Sequence, residues 1–548
     1  MSIQQNGPAW PHLDAYEQFP HLAGHRPVLG TRGMVSSPHA MASSIGCDVL
    51  KAGGNAVDAA IAASAALMVA CPMQCGPGGD AFWLIAEPNG KVYALDASGR
   101  ASRHADPAIL RAQGLTTIPP RSGYAVTAPG AVEGWSAARR RFGSLPLAAL
   151  LEPAAALAED GVVVSRHLHA SFQVCLGELA AKDALRLWGG QSPQVYDRMK
   201  QPALAALLRG IGRQGADHLY GGEIAAAIAR AVADAGGWLD AADLAAHASH
   251  WVAPVQGRFR DLDVFTTPPS TQGFSLLMAL GFVESVPTEG VGRFTPESLH
   301  LEIEASAAAL ATRDAVNDDR ARLAEPIEQT WSEERRAAFA RAFTRQARGA
   351  AGMQGTDRIT RGDTAHLCVV DGSGMAVSLI QSLFFDFGAC IAVPEGGFVL
   401  QNRGAAFTLD GKVARLAPGL RPPSTLMPTI ALREGKPAIV LGCMGGDGQM
   451  QTQLQLLRDL CDGGLDPQQA VSRPRWYLDR SAPGGPRLMI EDGVDDGLVW
   501  ALQGLGYEVE SLGRFEDRMG HAQIIAIRDD GVLAGAADPR SDGQVAAF

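Results

Sequence analysis

Thr364 has the richest chemistry open to it. It lies in Arg361-Gly-Asp-Thr-Ala-His-Leu-Cys-Val-Val-Asp371, after a glycine-rich polar stretch at 348–355. At Thr364 the sequence changes to an alternating, partly β-branched run, the pattern of a strand leaving an exposed loop. A threonine there is ordinarily structural, because its branched side chain suits a pleated surface. The chemical alternative is cleavage between Asp363 and Thr364. An exposed α-amine with a pKa of about 7.7–8.0 would then stand beside the hydroxyl, and one residue would supply nucleophile and base.

Such a nucleophile needs donors for an oxyanion. Gly442-Cys-Met-Gly-Gly-Asp-Gly448 directly precedes a helical pattern, so the N–H groups of Gly445 and Gly446 are candidates. An isolated glycine pair is more often a plain turn, and the loop lacks the Gly-Lys-Ser/Thr ending of a phosphate cradle. Ser424 and Thr425, in Arg421-Pro-Pro-Ser-Thr-Leu-Met-Pro428, sit in proline-stiffened backbone that can aim two hydroxyls. Arg100 and Arg403 are candidate forks for a carboxylate. His366 and His521 have no required role, since an N-terminal nucleophile needs no imidazole, and Cys368 reads as core.

The elements that must position these residues are both helical and extended. The sequence predicts a strand from Gly33, helices over 40–52 and from 55, and a hairpin of strands over 81–87 and 91–96. Helices follow near 147–160, 176–188, 202–213, 223–236, 298–320 and 332–348, interrupted by one strand over 255–266. After Thr364 come strands over 364–371, 375–384, 397–402 and 428–433, and a helix over 447–462. Helices near 466–473 and 495–505 and a strand over 520–528 close the chain. Residues 1 to about 30 read as an arm over the body. The expected class is α+β, with one sheet-centred body built from both halves.

The chain has 548 residues, 47% hydrophobic and 19% charged, with a formal net charge of -11. That composition is globular, and the acidic balance argues against nucleic acid or an anionic membrane as partner. The N-terminus shows no secretory pattern, and the apolar passage over 56–70 is too short for a span, so a cytoplasmic protein is expected. Eight scattered cysteines without metal spacing read as free thiols. No metal or organic cofactor is expected, and a homo-oligomer is left open.

Five motifs carry a resemblance: Gly53-Gly-Asn-Ala-Val-Asp-Ala-Ala60, Pro129-Gly-Ala-Val-Glu-Gly134, Asp363-Thr-Ala-His366, Gly445-Gly446 and Asp538-Pro-Arg-Ser541. In order and spacing, from about residue 30 onward, the chain resembles the γ-glutamyltransferase (γ-glutamyltranspeptidase) family of N-terminal-nucleophile hydrolases. The resemblance implies a proenzyme that cleaves itself between Asp363 and Thr364, and a four-layer αββα sandwich. It divides the chain into a large subunit, 1–363, and a small catalytic subunit, 364–548. It also implies that Ser382 hydrogen-bonds the nucleophile, that Gly445 and Gly446 form the oxyanion hole, and that Ser424, Thr425 and Arg100 hold a substrate carboxylate.

The chain departs from the family pattern at the substrate end. Phe384 replaces an asparagine, and Asn402-Arg-Gly-Ala-Ala406 lacks the acid that pairs with a glutamyl ammonium, with Arg403 adding a cation. Losing such a charge-assisted hydrogen bond costs about 1.5–3 kcal/mol. Gln401-Asn-Arg-Gly404, Met444-Gly-Gly-Asp-Gly-Gln449 and Ser472-Arg-Pro-Arg-Trp476 resemble the oxamate amidohydrolase branch, which implies a small amide bearing a carboxylate and no amine. Alternatives are a γ-glutamyltransferase or glutathione hydrolase, a β-lactam-type acylase, which Phe384, Phe385 and Phe387 leave open, and a metabolite-binding protein without catalysis.

Overall fold

The structure, a computed structural model, describes residues 26–288, 291–344, 346–347 and 363–548. Most of the expected N-terminal arm and the glycine-rich lead-in to Thr364 lie outside the described residues. Fourteen strands build two large sheets. In chain order they are β1 (Val28–Gly30), β2 (Gly33–Ser37), β3 (Asp80–Ala86), β4 (Val92–Ala97), β5 (His250–Val252), β6 (Val255–Phe259) and β7 (Leu262–Thr266). Then follow β8 (Asp363–Asp371), β9 (Ala376–Phe384), β10 (Thr429–Arg433), β11 (Lys436–Cys443), β12 (Ala522–Ile527), β13 (Leu533–Ala537) and β14 (Gln544–Ala547).

Sheet I has the order β1-β13-β12-β11-β10-β7-β6 and sheet II the order β14-β2-β8-β9-β3-β4-β5. Every pairing within them is antiparallel. In sheet II, β8 and β9 are flanked by β2 and β3, strands from before residue 363. Both halves of the chain are thus interleaved in each sheet, which is why the sequence shows no domain seam.

Alternation along the strands sorts side chains into three apolar layers. Ala365, Leu367 and Val369 face helices α1 (Ala40–Lys51), α2 (Ala56–Ala70), α3 (Ala131–Phe142) and α4 (Leu147–Asp160). The next helix, α5 (Arg166–Val174), continues this side of the molecule. Cys368 and Val370 point the other way and meet Ile430, Val440 and Ile525 between the sheets. Beyond sheet I, α6 (Gly273–Ser285), α7 (Pro296–Val316) and α8 (Gln449–Cys461) cover Val264, Leu441 and Ile524. The result is the expected αββα sandwich.

Local sequence explains the inner helices. Asn55 caps α2 reciprocally with Asp58, and all fifteen residues of α2 are buried, so its alanines permit close approach on every side. Asp371, ending β8, accepts hydrogen bonds from Ser373 and Met375 N–H in its own turn and from Ala56 N–H at the start of α2. That carboxylate fixes the β8–β9 hairpin to the helix layer.

Several expected elements are corrected. The strand over 255–266 is the hairpin β6–β7, turned at Arg260 with φ +55°. The helix over 176–188 breaks into Leu176–Ala181 and a 3₁₀ turn, Ala184–Trp188. The strand over 397–402 shrinks to Phe398–Val399. Helix α6 was not expected because it is apolar around almost its whole circumference and shows no amphipathic period. Strand β11 and a small sheet of Trp476–Asp479, Arg487–Glu491 and Val509–Leu512 were also missed. Among the described residues, no helix is long and apolar enough to cross a membrane.

A polar bolt joins the sheets beneath β8. The His366 Nε2 lies 2.8 Å from Ser378 Oγ, which donates to the Leu441 carbonyl and accepts from Thr429 N–H. The His366 ring rests on Gly442, where a Cβ would approach it to 2.4 Å. Burial lowers the His366 pKa from 6.5 to about 3. An unfolded chain therefore binds a proton that the folded one refuses, and stability rises with pH between those values. We expect the urea midpoint of the wild type to fall as pH drops through this window, with a shallower slope in His366→Gln. Gly442→Ala should cost about 1–3 kcal/mol at neutral pH by overpacking; an unchanged midpoint would contradict the contact.

Candidate active site

Thr364 sits at the head of β8, at a break in its register with β9: Asp363 pairs with Phe384, and Ala365 with Gln381. The irregularity brings Thr364 against Ser382. The Thr364 hydroxyl donates to Ser382 Oγ at 3.2 Å, and the Ser382 hydroxyl donates to the Asp363 carbonyl oxygen at 2.9 Å. Phe384 N–H donates to Ser382 Oγ at 2.8 Å and holds that rotamer. Both hydroxyl residues are buried. The relay runs from the Thr364 hydroxyl to the carbonyl of the peptide bond that precedes it. It orients the threonine hydroxyl and polarises that carbonyl.

The Asp363 side chain faces the same bond. Its Oδ1 accepts from Gln74 Nε2 at 2.8 Å and from Thr364 N–H at 3.1 Å. Burial holds its pKa well above the usual carboxylate range, and Asp386 and Asp517 add like charge. Asp386 is itself pushed up to about 6, again chiefly by burial and then by Asp517.

Gly445 and Gly446 form the bend between β11 and α8, with φ values of +137° and +53°. A side chain would strain both positions. Gly520 packs on the Met444 carbonyl, where a Cβ would come within 2.4 Å. The bend is tied to the Ser424–Thr425 segment through Gln272, whose Nε2 donates to the Thr425 carbonyl at 2.9 Å and to the Gly446 carbonyl at 3.1 Å. Arg313 donates to Gln272 Oε1 at 2.7 Å and pairs with Asp447. The Ser424 N–H donates to the Ser270 carbonyl, and its Oγ accepts from Leu426 N–H.

The surroundings of Arg403 differ from the sequence-based picture of an unmatched cation. Arg403 is buried and forms a two-pronged pair with Asp80, Nε to Oδ2 at 3.0 Å and Nη2 to Oδ1 at 3.1 Å. Asp80 lies across the sheet from Ser382 in β3–β9 register. The pair supplies its own counter-charge, and only Arg403 Nη1 lacks a partner. Its guanidinium lies 4.4 Å over the Phe384 ring, which stacks on Phe385 at 4.7 Å and packs against Ala406. Phe384 itself adopts φ +84°, an outlier for a bulky residue.

Arg100 stands farther out, 44% exposed, donating to the Gly419 carbonyl at 2.8 Å, with Asp319 at 3.8 Å. Arg421 is buried three residues before Ser424 and donates to the Ser98 carbonyl, and one of its nitrogens, Nη2, has no partner. Burial lowers its pKa, with Arg100 and Arg320 contributing like charge. The structure therefore joins Thr364 to Ser382, joins Gly446 to Thr425 through Gln272, and places Arg403 beside Phe384. Asp80, Gln272, Arg313 and Arg421 were not singled out from sequence. Asp80 ends the glycine-rich loop 76–80, and Arg421 opens the Pro-Pro-Ser-Thr segment, whereas Gln272 and Arg313 carry no sequence signal.

Comparison with known proteins places this geometry. The family model described as Gamma-glutamyltranspeptidase matches residues 42–548. The glutathione hydrolase-like YwrD proenzyme of Bacillus subtilis is 35% identical over 95% of this chain and 99% of its own. The oxamate amidohydrolase proenzyme of Klebsiella pneumoniae is 36% identical over 96% of this chain and 100% of its own. The crystal structure of cephalosporin acylase from Bacillus halodurans superposes with a TM-score of 0.88 at 31% identity, covering 97% of this chain and 98% of that one. With matched relatives along nearly its whole length and the same αββα architecture, the chain belongs to the γ-glutamyltranspeptidase family and is an enzyme of the N-terminal-nucleophile amidohydrolase and acyltransferase class.

Proposed function

We propose that the chain is a proenzyme that cuts itself between Asp363 and Thr364 and then hydrolyses a small amide bearing a carboxylate, of the oxamate kind. The observation that carries the first part is the relay from the Thr364 hydroxyl through Ser382 to the Asp363 carbonyl. Attack of Thr364 Oγ on that carbonyl carbon forms an ester as the C–N bond breaks, and the departing nitrogen takes up a proton to become the Thr364 α-amine. Water then hydrolyses the ester, leaving Asp363 with a terminal carboxylate.

The cut enzyme repeats the same chemistry on its substrate. The α-amine accepts the hydroxyl proton, Thr364 Oγ attacks the amide carbon, and the Gly445 and Gly446 N–H groups receive the oxyanion. Ammonia or an amine leaves with the proton, and water releases the acid from the acyl-enzyme. Ser424, Thr425 and Arg100 hold the substrate carboxylate in this reading, with Arg421 reinforcing the positive end.

The substrate assignment rests on the Arg403–Asp80 pair under Phe384 and Ala406. A γ-glutamyl ammonium would meet an aromatic face and a guanidinium already matched by its own acid. It would forgo a charge-assisted bond of about 1.5–3 kcal/mol. A second reading, an acylase taking a longer acyl group, is favoured by the apolar patch of Phe384, Phe385, Ala405 and Ala406. The name of the Klebsiella relative supports the first reading and that of the Bacillus halodurans structure the second.

Thr364→Ala should remain a single full-length species by intact mass and show no oxamate hydrolysis; normal processing of that variant would refute the mechanism. Ser382→Ala removes the donor to the scissile carbonyl and should slow self-cleavage about 10²-fold, read by gel densitometry over time. For the substrate, the double variant Phe384→Asn/Ala406→Asp should raise the kcat/KM ratio of a γ-glutamyl anilide over oxamate by about tenfold or more. A ratio unmoved from the wild type, in a variant that still processes, would remove these positions from substrate selection. Assay of oxamate against a β-lactam side-chain amide decides between the two readings.

A further inference from the structure

Three residues outside the machinery described above converge where the two halves of the chain meet. His167 lies on α5, before the 363/364 junction, while Asp517 and His521 lie after it. Asp517 Oδ1 stands 2.7 Å from His521 Nε2 and 3.6 Å from His167 Nδ1, and the two imidazole rings meet edge-on with centroids 5.1 Å apart. One ligand atom from each residue lies within 4.8 Å of the other two. His521 is almost wholly buried, yet its Nε2 makes no aligned hydrogen bond despite the nearby carboxylate oxygen. A buried imidazole nitrogen close to a carboxylate without bonding it, with a second imidazole nitrogen 3.6 Å from the same oxygen, is an arrangement that a cation between them would satisfy.

We propose that His167, Asp517 and His521 form a divalent transition-metal site that fastens the segment before residue 363 to the segment after it. Two imidazoles and one carboxylate suit zinc, cobalt or nickel rather than magnesium or calcium, which take oxygen ligands. Asp517, 59% exposed, leaves a route for entry and open positions for water.

The site also touches the oxyanion bend. The His521 carbonyl accepts from Met444 N–H at 2.9 Å, and Gly520, with φ +82°, lies against the Met444 carbonyl. A cation that fixes His521 thereby fixes the strand end on which Gly445 and Gly446 hang. Its ligands belong to the uncut chain as well as to the cut one; only its role as a fastener between two chains rests on the cleavage proposed above.

The test is titration of the full-length purified protein with Co²⁺, followed by visible absorption, with Zn²⁺ as competitor. A ligand-field band that saturates at one equivalent and is displaced by Zn²⁺ is expected. It should be lost in His167→Ala and His521→Ala and weakened in Asp517→Asn, with circular dichroism confirming folded variants. Zn²⁺ should raise the thermal midpoint of the cut wild type and leave that of His167→Ala unchanged. The uncut Thr364→Ala chain should bind Co²⁺ equally, so failure of cleavage and failure of the metal site are told apart. No saturating band in the wild type, or an undiminished band in His167→Ala, would overturn the proposal; His167 is on a surface helix, so this result stands even if His521→Ala fails to fold.

Discussion

The pairing of β8 with β9 is the constraint on which the rest of the structure depends. Its register places Thr364 within reach of Ser382 only because it slips between Asp363 and Ala365. A ladder without that slip would hold Thr364 as one more strand residue, its hydroxyl governed by the pleat. Bulges of this kind re-aim a side chain at the cost of local pairing. The hairpin around it is correspondingly over-determined: every residue of both strands is buried, Asp371 secures the turn to α2, and the His366–Ser378 bolt secures the strands to sheet I.

The same pairing explains how much of the site was legible in sequence. Thr364 stood out because a strand pattern began abruptly after glycine-rich chain, and Gly445 and Gly446 stood out because they precede a helix. Those are local signals, and the structure gives them local meaning: positive φ at both glycines and a strand beginning at Asp363. Ser382 came from family resemblance alone, since nothing in its own strand distinguishes it. Asp80 meets Arg403 only in the folded chain, across 323 positions of sequence, close to the bridge between Gly78 and Leu400. No window of composition or periodicity carries that contact. Helix α6 was illegible for another reason: buried on almost all sides, it has no polar face to mark its period.

Arg403 shows how such long-range contacts change a chemical argument. From sequence it is a bare cation that would repel an ammonium and attract a carboxylate. In the structure Asp80 pairs with it, and burial is the largest influence on that acid, raising the Asp80 pKa despite the adjacent guanidinium. A buried, matched pair of this sort contributes shape and orientation more than net charge. In the proposed reading, discrimination against an ammonium would then rest less on repulsion than on the want of a free acceptor: Phe384 and Ala406 pack together there as carbon, and Asp80 is engaged by Arg403.

Interleaving of the two halves bears on what a cut at 363/364 would do to the body. Each sheet combines strands from before and after the junction, so separating the pieces would require breaking ladders on both sides of β8–β9 and within sheet I. Cooperative packing of that kind makes loss of one peptide bond a local event in the folded state, since few native contacts depend on it. The energetic consequence falls on refolding, where two chains must find each other and the loop-closure advantage of one chain is gone. The uncut chain therefore has reason to fold first and be cut afterwards. A relay assembled by the β8–β9 register would enforce that order for the proposed cut, because the Thr364 hydroxyl, Ser382 and the Asp363 carbonyl come together only once the strands have paired.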